Sequence, residues 1–280
     1  AVNSFIKKNK PDIIINCAGK VGGILANSKF PTEFLNENIL IQSNLINSAY
    51  KNNIKNFINL GSSCIYPKNS KQPIKEDYLL SSKLEKTNEA YALAKITGLK
   101  LCEYYNTQYG KSYLTLMPCN LYGPNDNFDS SNSHFIPALI RKITNSKINN
   151  FAKTEIWGTG KPKREVMHVD DLASVIYFLT KLKIRNDKKL ISLIKKNSLI
   201  NVGSGVEFKI KQFAEVIKKI LKTKSKLVYN TNYPDGTPRK VLDNYKIRSL
   251  GWKPKISLNK GLKETIKWYR EKYIFKKSKN

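Results

Sequence analysis

Three short apolar runs, each closed by Gly, Ser or Pro, most limit what this chain can fold into. They are Pro11-Asp-Ile-Ile-Ile-Asn-Cys-Ala-Gly19, Phe57-Ile-Asn-Leu-Gly-Ser-Ser63 and Tyr113-Leu-Thr-Leu-Met-Pro-Cys-Asn120. Runs of this kind, without strict apolar–polar alternation, suit strands covered on both faces of a parallel sheet. Helical patterns lie between them, at roughly Phe34 to Lys51 and Asn88 to Tyr109, with a polar loop from Pro67 to Lys86. The strand–helix–strand–helix–strand order requires right-handed crossovers and predicts an α/β fold with a doubly wound parallel sheet. Ligands of such sheets bind beyond the carboxyl ends of the strands. Here those ends are Gly19-Lys-Val-Gly-Gly23, Gly61-Ser-Ser63 and Pro118-Cys-Asn120.

The second half is more mixed. The pattern predicts a helix from His134 to Lys142, a strand with a turn over Glu155–Gly160, and a helix from Val169 capped by an Asp. Lys181 to Asn197 is Lys-rich and reads as a surface loop in its middle. Ile200–Gly205 reads as strand and turn, followed by a helix to about Leu221. Tyr233–Arg239 is a loop, and Lys260–Lys272 an amphipathic helix. No internal repeat is visible.

The formal charge is +29 and the pI near 9.9, which raises the question of nucleic acid. Only 6 of the 50 basic residues are Arg, whereas base readout and phosphate forks favour Arg. The lysines are also scattered among abundant Asn and Ile, so nucleic acid is not the expected partner. The charge still attracts an anionic substrate such as a sugar nucleotide. No apolar run approaches the roughly 20 residues that span a bilayer, and the first residues lack a signal peptide's charged-then-apolar order. A cytoplasmic protein with no membrane partner is expected. The first residue is Ala, which points to a fragment or a processed chain. Cys17, Cys64, Cys102 and Cys119 show no metal-ligand spacing, and there are two histidines, so no metal site is expected. Disulfides are not indicated, and Cys17 and Cys102 read as buried packing.

The chemistry concentrates around Tyr91-Ala-Leu-Ala-Lys95. A Tyr and a Lys four apart on a helix share a face. Beside Ser62 and Ser63 at a strand end, such a pair can hand a proton to a carbonyl. A free phenol titrates near 10, and a neighbouring ammonium favours its ionised form, so Lys95 is expected to lower Tyr91. A solvent-facing Tyr–Lys pair and a plain strand-capping turn are the blander readings, less suited to this clustering.

The Gly61–Pro67 and Tyr91–Lys95 strings resemble the extended short-chain dehydrogenase/reductases. Longer strings are similar to the GDP-L-fucose synthases within that family. These are Lys20–Asn27, Leu84–Glu89, Asn120–Phe128, Asn132–Arg141, Trp157–Glu165, His168–Asp171 and Pro234–Lys240, in order along nearly the whole chain. The resemblance implies epimerisation and NADPH-dependent reduction of GDP-4-keto-6-deoxy-mannose to GDP-L-fucose. Reduction needs a proton for the developing alkoxide and a hydride from the nicotinamide. It implies Tyr91 as the acid, Lys95 also on the nicotinamide ribose, and Ser62 polarising the ketone. Epimerisation needs an acid and a base on opposite faces of the sugar, roles that fall to Cys64 and His134. NADP(H) contacts fall on Leu60, Gly61, Ser62, Ser63, Lys95, Pro118, Cys119, Asn120, Leu121 and His134. Substrate contacts fall on Lys142, Trp157, Arg164 and Asp235, although Trp157 can equally be core and Asp235 an ordinary turn residue. His168 reads as structural.

Residues 1–123 with about 165–182 would form the dinucleotide-binding part, and 124–280 mainly the substrate part. A homodimer through Phe34–Lys51 and Asn88–Tyr109 is implied. The chain departs from the family in three places. The GxxGxxG turn that cradles a cofactor pyrophosphate at a helix N-terminus does not occur, so the first strand–helix–strand unit is expected to be missing. Lys142 stands where Arg is usual, and Cys119 where Thr is usual. The alternatives are a sister enzyme acting on a GDP-keto-heptose and a non-catalytic homologue.

Overall fold

The computed structural model describes residues 1–130 and 133–274; Asn132, in one of the matching strings, lies outside them. The chain opens with α1 (Val2–Asn9) and β1 (Ile13–Asn16). After α2 (Ile24–Lys29), α3 (Pro31–Lys51) starts on Pro31, whose missing N–H costs nothing in a first turn, with Glu33 at its positive end. Then follow β2 (Asn56–Leu60), α4 (Glu89–Tyr109) and β3 (Ser112–Pro118). Gly110 ends α4 in the left-handed region (φ 62°), where glycine carries no Cβ penalty.

The rest runs β4 (Asn120–Tyr122), α5 (Phe135–Ile148), β5 (Lys153–Trp157), β6 (Lys163–His168), α6 (Val169–Ile184), α7 (Lys188–Lys196) and β7 (Leu199–Val202). It continues through β8 (Glu207–Lys209), α8 (Ile210–Leu221), β9 (Lys226–Asn230), β10 (Arg239–Lys240), α9 (Tyr245–Ser249) and α10 (Leu258–Tyr269).

The expected doubly wound sheet is present as four parallel strands in the order β1-β2-β3-β7. Its burial is two-sided. Phe57 and Tyr113 pack with Ile46 and Cys102 in one cluster. Ile58, Leu114 and Leu116 pack with Val175, Leu179 and Leu190 in another. A separate core joins α5, α8 and α10 through Ile140, Ile143, Phe213, Ile217 and Leu262. Around it lie a β10-β6-β4 sheet, with β8 antiparallel to β6, and a parallel β5–β9 pair.

Three local expectations are corrected. The middle of Lys181–Asn197 is helix α7, because Leu190 and Ile194 sit one turn apart and bury while the lysines face water. Asp187 caps it by accepting from Leu190 N at 2.9 Å. The cap of α6 is His168, whose Nδ1 accepts from Asp170 N at 3.3 Å; Asp170 and Asp171 instead occupy the first turn. Cys17 is exposed at the end of β1, while Cys102 is fully buried. No helix among the described residues is long and apolar enough to cross a membrane.

Candidate active site

A cavity of about 480 Å³ opens where β1, β2 and β3 end. Gly19 and Gly22 line it from the first strand end, Leu60–Ser63 from the second, and Pro118–Gly123 from the third. Tyr91 and Lys95 reach it from α4, and His134 from the start of α5. The turn after β2 is tightly held. Gly61 N donates to Leu116 O at 2.8 Å, and a Cβ there would lie 2.2 Å from the Met117 methyl. Ser62 Oγ accepts from Cys64 N at 3.4 Å, fixing the 3₁₀ turn Ser63–Ile65.

Lys95 is 4% exposed, and its Nζ donates to Leu60 O at 3.0 Å. That ammonium lies 5.6 Å from the Tyr91 ring centroid. Burial lowers Lys95 below the ordinary lysine range, with Cys64 and Cys17 opposing. Tyr91, packed edge-on against Phe34, differs from expectation. Burial pushes its phenol up and the charge of Cys64 adds to the rise, with only a hydrogen bond from Ser62 opposing. Desolvation disfavours the anion more than its surroundings favour it. Tyr91 is therefore a neutral phenol with a proton to give.

Behind these groups runs a buried amide chain that the sequence reading passed over. Asn16 Nδ2 donates to Asn59 Oδ1 at 2.9 Å, and Asn59 Nδ2 to Gln42 Oε1 at 3.2 Å. Gln42 Nε2 then donates to Ala94 O at 3.0 Å. Asn38, also buried, accepts from Lys20 N and donates to Lys20 O, both at 3.0 Å. A Cβ on Gly19 would fall 3.1 Å from Asn38 Oδ1 and 3.3 Å from Lys95 Nζ. The available signal was an Asn inside each of two apolar runs, at positions that pair directly, Asn16 with Asn59. Cys17, Tyr122 and Asp126 also line the cavity without having been singled out as site residues.

Cys64 and His134 sit differently. Cys64 is 8% exposed and borders a smaller cavity with Thr237, Arg239 and Lys240 rather than the main one. Burial raises its thiol; Lys240, the Ser62 hydrogen bond and Lys95 oppose. His134 holds the N-cap position of α5, yet its side chain makes no capping bond and it is exposed. Beside it, Asp126 is raised by burial, against a hydrogen bond from Asn127 N and the His134 charge. Cys119 lines the main cavity, its thiol pushed up by burial and by Glu165.

Of the four residues expected on the substrate, Lys142, Trp157 and Asp235 gather around the β5–β9 pair, while Arg164 lies on β6 beside the loop that carries Asp235. Lys142 Nζ lies 4.2 Å from the Trp157 ring centroid, and burial lowers its ammonium. Tyr233 stacks on the same indole at 4.2 Å with 13° between planes. Asp235 accepts from Thr159 N at 2.9 Å and Thr159 Oγ1 at 2.5 Å. Arg164 Nη1 donates to Lys163 O at 2.8 Å and Thr237 O at 2.5 Å, and burial lowers its guanidinium against the pull of Asp235. Among the described residues no cluster of His, Cys, Asp and Glu could hold a metal ion.

A doubly wound sheet with strand-end serines and a Tyr–Lys helix face defines the carbonyl-reducing site of a short-chain dehydrogenase/reductase. A model of the NAD dependent epimerase/dehydratase family matches residues 1–203. The chain is 48% identical over 276 residues to putative GDP-L-fucose synthase 2 of Arabidopsis thaliana, covering 99% of this chain and 81% of that one. It is 45% identical over 275 residues to GDP-L-fucose synthase of Escherichia coli K12, covering 97% and 84%. A solved GDP-mannoheptose C4 reductase from Campylobacter jejuni with NADP bound superposes with a TM-score of 0.85 at 37% identity, over 96% of this chain and 85% of that one. The chain belongs to the NAD dependent epimerase/dehydratase family and, within it, to the GDP-L-fucose synthase group.

Proposed function

We propose that this protein converts GDP-4-keto-6-deoxy-D-mannose to GDP-L-fucose, by epimerisation at C3 and C5 and NADPH-dependent reduction at C4. The observation that carries the proposal is the convergence of Ser62, Tyr91, Lys95 and His134 on one cavity at the strand ends. Its about 480 Å³ lies in the range of small-molecule sites.

The residues present fit the nicotinamide end of NADP(H). Gly19 presents bare backbone to Lys95 Nζ, where a Cβ would crowd the ammonium. Leu60–Ser63 and Pro118–Leu121 supply backbone around it. A GxxGxxG turn for the pyrophosphate does not occur in the 280 residues. When bound, NADPH supplies the hydride for C4. The protein's own groups handle protons and position. Ser62 polarises the ketone, and Tyr91, kept protonated by burial, donates to its oxygen. Lys95, held on Leu60 O, orients the ribose and keeps positive charge near the phenol as that proton leaves.

The C–H bonds flanking a ketone are acidified by it, and the roles of taking and returning protons there fall to His134, which lines the main cavity, and to Cys64, which borders the smaller one. The Cys64 thiol, raised by burial, has Lys240 and Lys95 nearby to favour its anion when it forms. Functionally, 1–123 with about 165–182 serves the cofactor and 124–280 mainly the substrate. The sheet nevertheless also takes β7 from the latter stretch.

The protein is proposed to act as a homodimer through α3 and α4, where Leu40, Leu93 and Tyr104 expose apolar surface. Light scattering tests this, and a monomer at assay concentration sinks it. Four cysteines with free thiols fit a reducing cytoplasm. The function itself is tested in the complete protein with NADPH and the hexose or a GDP-4-keto-heptose, reading products by NMR. GDP-L-fucose from the hexose is expected. Turnover of the heptose alone would transfer the reading to the C4-reductase type of the Campylobacter neighbour.

A further inference from the structure

We propose that Tyr233 is a positioning residue for the nucleobase, the fixed back wall of a shelf made by Trp157, and that Lys142 is the movable cover of the opposite face. This rests on the GDP-sugar reading above.

Trp157 is the last residue of β5 and pairs with Asn230, the last of β9. Its indole Nε1 donates to Glu155 Oε1 at 3.0 Å, and Asn230 Nδ2 donates to Glu155 Oε2 at 3.1 Å, so the ring's polar edge is tied to both strands. Both ring faces are taken. Tyr233 lies 4.2 Å away and nearly parallel, and the Lys142 ammonium lies 4.2 Å from the same centroid. Two groups that close to one ring centre would collide on a single face, so they occupy opposite ones. Trp157 and Tyr233 nonetheless remain 46% and 41% exposed. A half-exposed aromatic pair at the mouth of two loops is surface laid out for a flat ligand.

The two covers are held very differently. Tyr233 sits in a loop anchored at both ends to the residues just past Trp157. On one side Gly158 N donates to Asn230 O at 2.9 Å, Tyr233 N reaches the same oxygen at 3.4 Å, and Asn232 N donates to Asn230 Oδ1 at 3.0 Å. On the other side, Asp235 takes both Thr159 N and Thr159 Oγ1. Lys142 has no hydrogen bond or ion pair to another described residue; its attraction to the ring and to the charge of Glu155, beyond ion-pair distance, holds it there.

A cation–ring contact is a weak tether for an ammonium. A nucleoside diphosphate offers the ammonium a stronger, charge-assisted partner. Its arrival draws Lys142 off the indole and bares that face for the purine, while Tyr233 keeps the ring from tipping back. Recognition of the diphosphate and recognition of the base are thereby coupled through one side chain.

The test is GDP titration of the complete protein by calorimetry, with steady-state kinetics, on wild type, Tyr233→Ala and Tyr233→Phe. Tyr233→Ala is expected to weaken GDP binding and raise KM about fivefold to tenfold, with kcat held. Tyr233→Phe keeps the ring and is expected to restore wild-type binding. Unchanged GDP affinity in Tyr233→Ala overturns the proposal. Tighter binding also overturns it, because Tyr233 would then be the cover rather than the wall. UDP titrated into the wild type separates the two levels. A preference for UDP over GDP defeats the GDP-sugar reading, whereas the Tyr233 series judges the wall with whichever nucleotide binds. Thermal midpoints of the variants, expected to match wild type for a surface loop, exclude misfolding as the cause.

Discussion

At the ends of β1, β2 and β3 the working side chains are mostly buried and their proton affinities displaced. Around β5 and β9, Trp157, Tyr233 and Asp235 are exposed and held by pairing, and burial reaches only Lys142 and Arg164. Tyr91, Cys64 and Cys119 are pushed up and Lys95 down, each with burial as the first cause. Around the shelf, Lys142 rests on an indole and Asp235 on a Thr hydroxyl and its N–H. The difference follows from the architecture. Strand ends of a sheet covered on both faces fix groups in a low-dielectric pocket, where a proton can be kept on a phenol. Loops beyond a two-stranded pair cannot exclude water in that way, but they can shape a surface for a base and its phosphates. Chemistry sits where burial is unavoidable, and recognition where it is not.

The sharpest break of this comparison is Tyr91→Phe. If the buried phenol is the proton donor, reduction measured as NADPH consumption in the complete protein falls by about 10³-fold. Exchange of the C3 and C5 protons with deuterium in the solvent should persist, because Cys64 and His134 are untouched. Normal NADPH oxidation by the variant would remove Tyr91 from the mechanism and, with it, the claim that burial there serves catalysis.

Legibility in the sequence divides along the same line. β1, β2, β3, α3 and α4 were readable because each carries its own local pattern, and the Tyr91–Lys95 pair lies on one helix face. Ser62 and Ser63 were readable as a strand-end turn. The direction of the Tyr91 shift was not, because a Lys four residues away is visible in sequence while the desolvation that outweighs it is not. β6 and β9 were missed because their charged and polar residues obscure the pattern, and α7 because its lysines hide the buried pair Leu190 and Ile194. Cys17 read as packing because its run is apolar, yet it lies past the last strand residue, exposed at the edge of the main cavity. The Trp157–Tyr233 stack brings together the end of β5 and the loop after β9, which no local periodicity links.

On the recognition side, Asp235→Ala removes the acceptor of Thr159 N and Oγ1 and unfastens one end of the Tyr233 loop. An exposed loop loses little stability this way, so KM should rise about tenfold with kcat within about twofold, the pattern of lost uniform binding. Steady-state kinetics on the GDP-sugar decides it. A fall in kcat at unchanged KM would mean that the shelf takes part in the chemical step, and the two regions would no longer be separable.

The smallest expected effect tests burial in the sheet half without touching the site. Lys183, at the end of α6, is 5% exposed, and its Nζ donates to the carbonyl and the hydroxyl of Ser112 on β3. Burial lowers it from 10.5 to about 7, against a weaker pull from Cys102. Here the folded value lies below the unfolded one, so between about pH 7 and 10.5 the unfolded chain holds a proton that the folded chain has released. Stability from this group therefore rises with pH above about 7, and below that the buried charge imposes a constant penalty. The slope is on the order of 1 kcal/mol per pH unit. Urea midpoints of wild type and Lys183→Met from pH 7 to about pH 9, taken as a difference so that other titrations cancel, should diverge in favour of wild type as pH rises. Parallel midpoints would show that Lys183 keeps its proton in the fold, and that burial near this sheet displaces charge less than the Tyr91 and Lys95 environment requires.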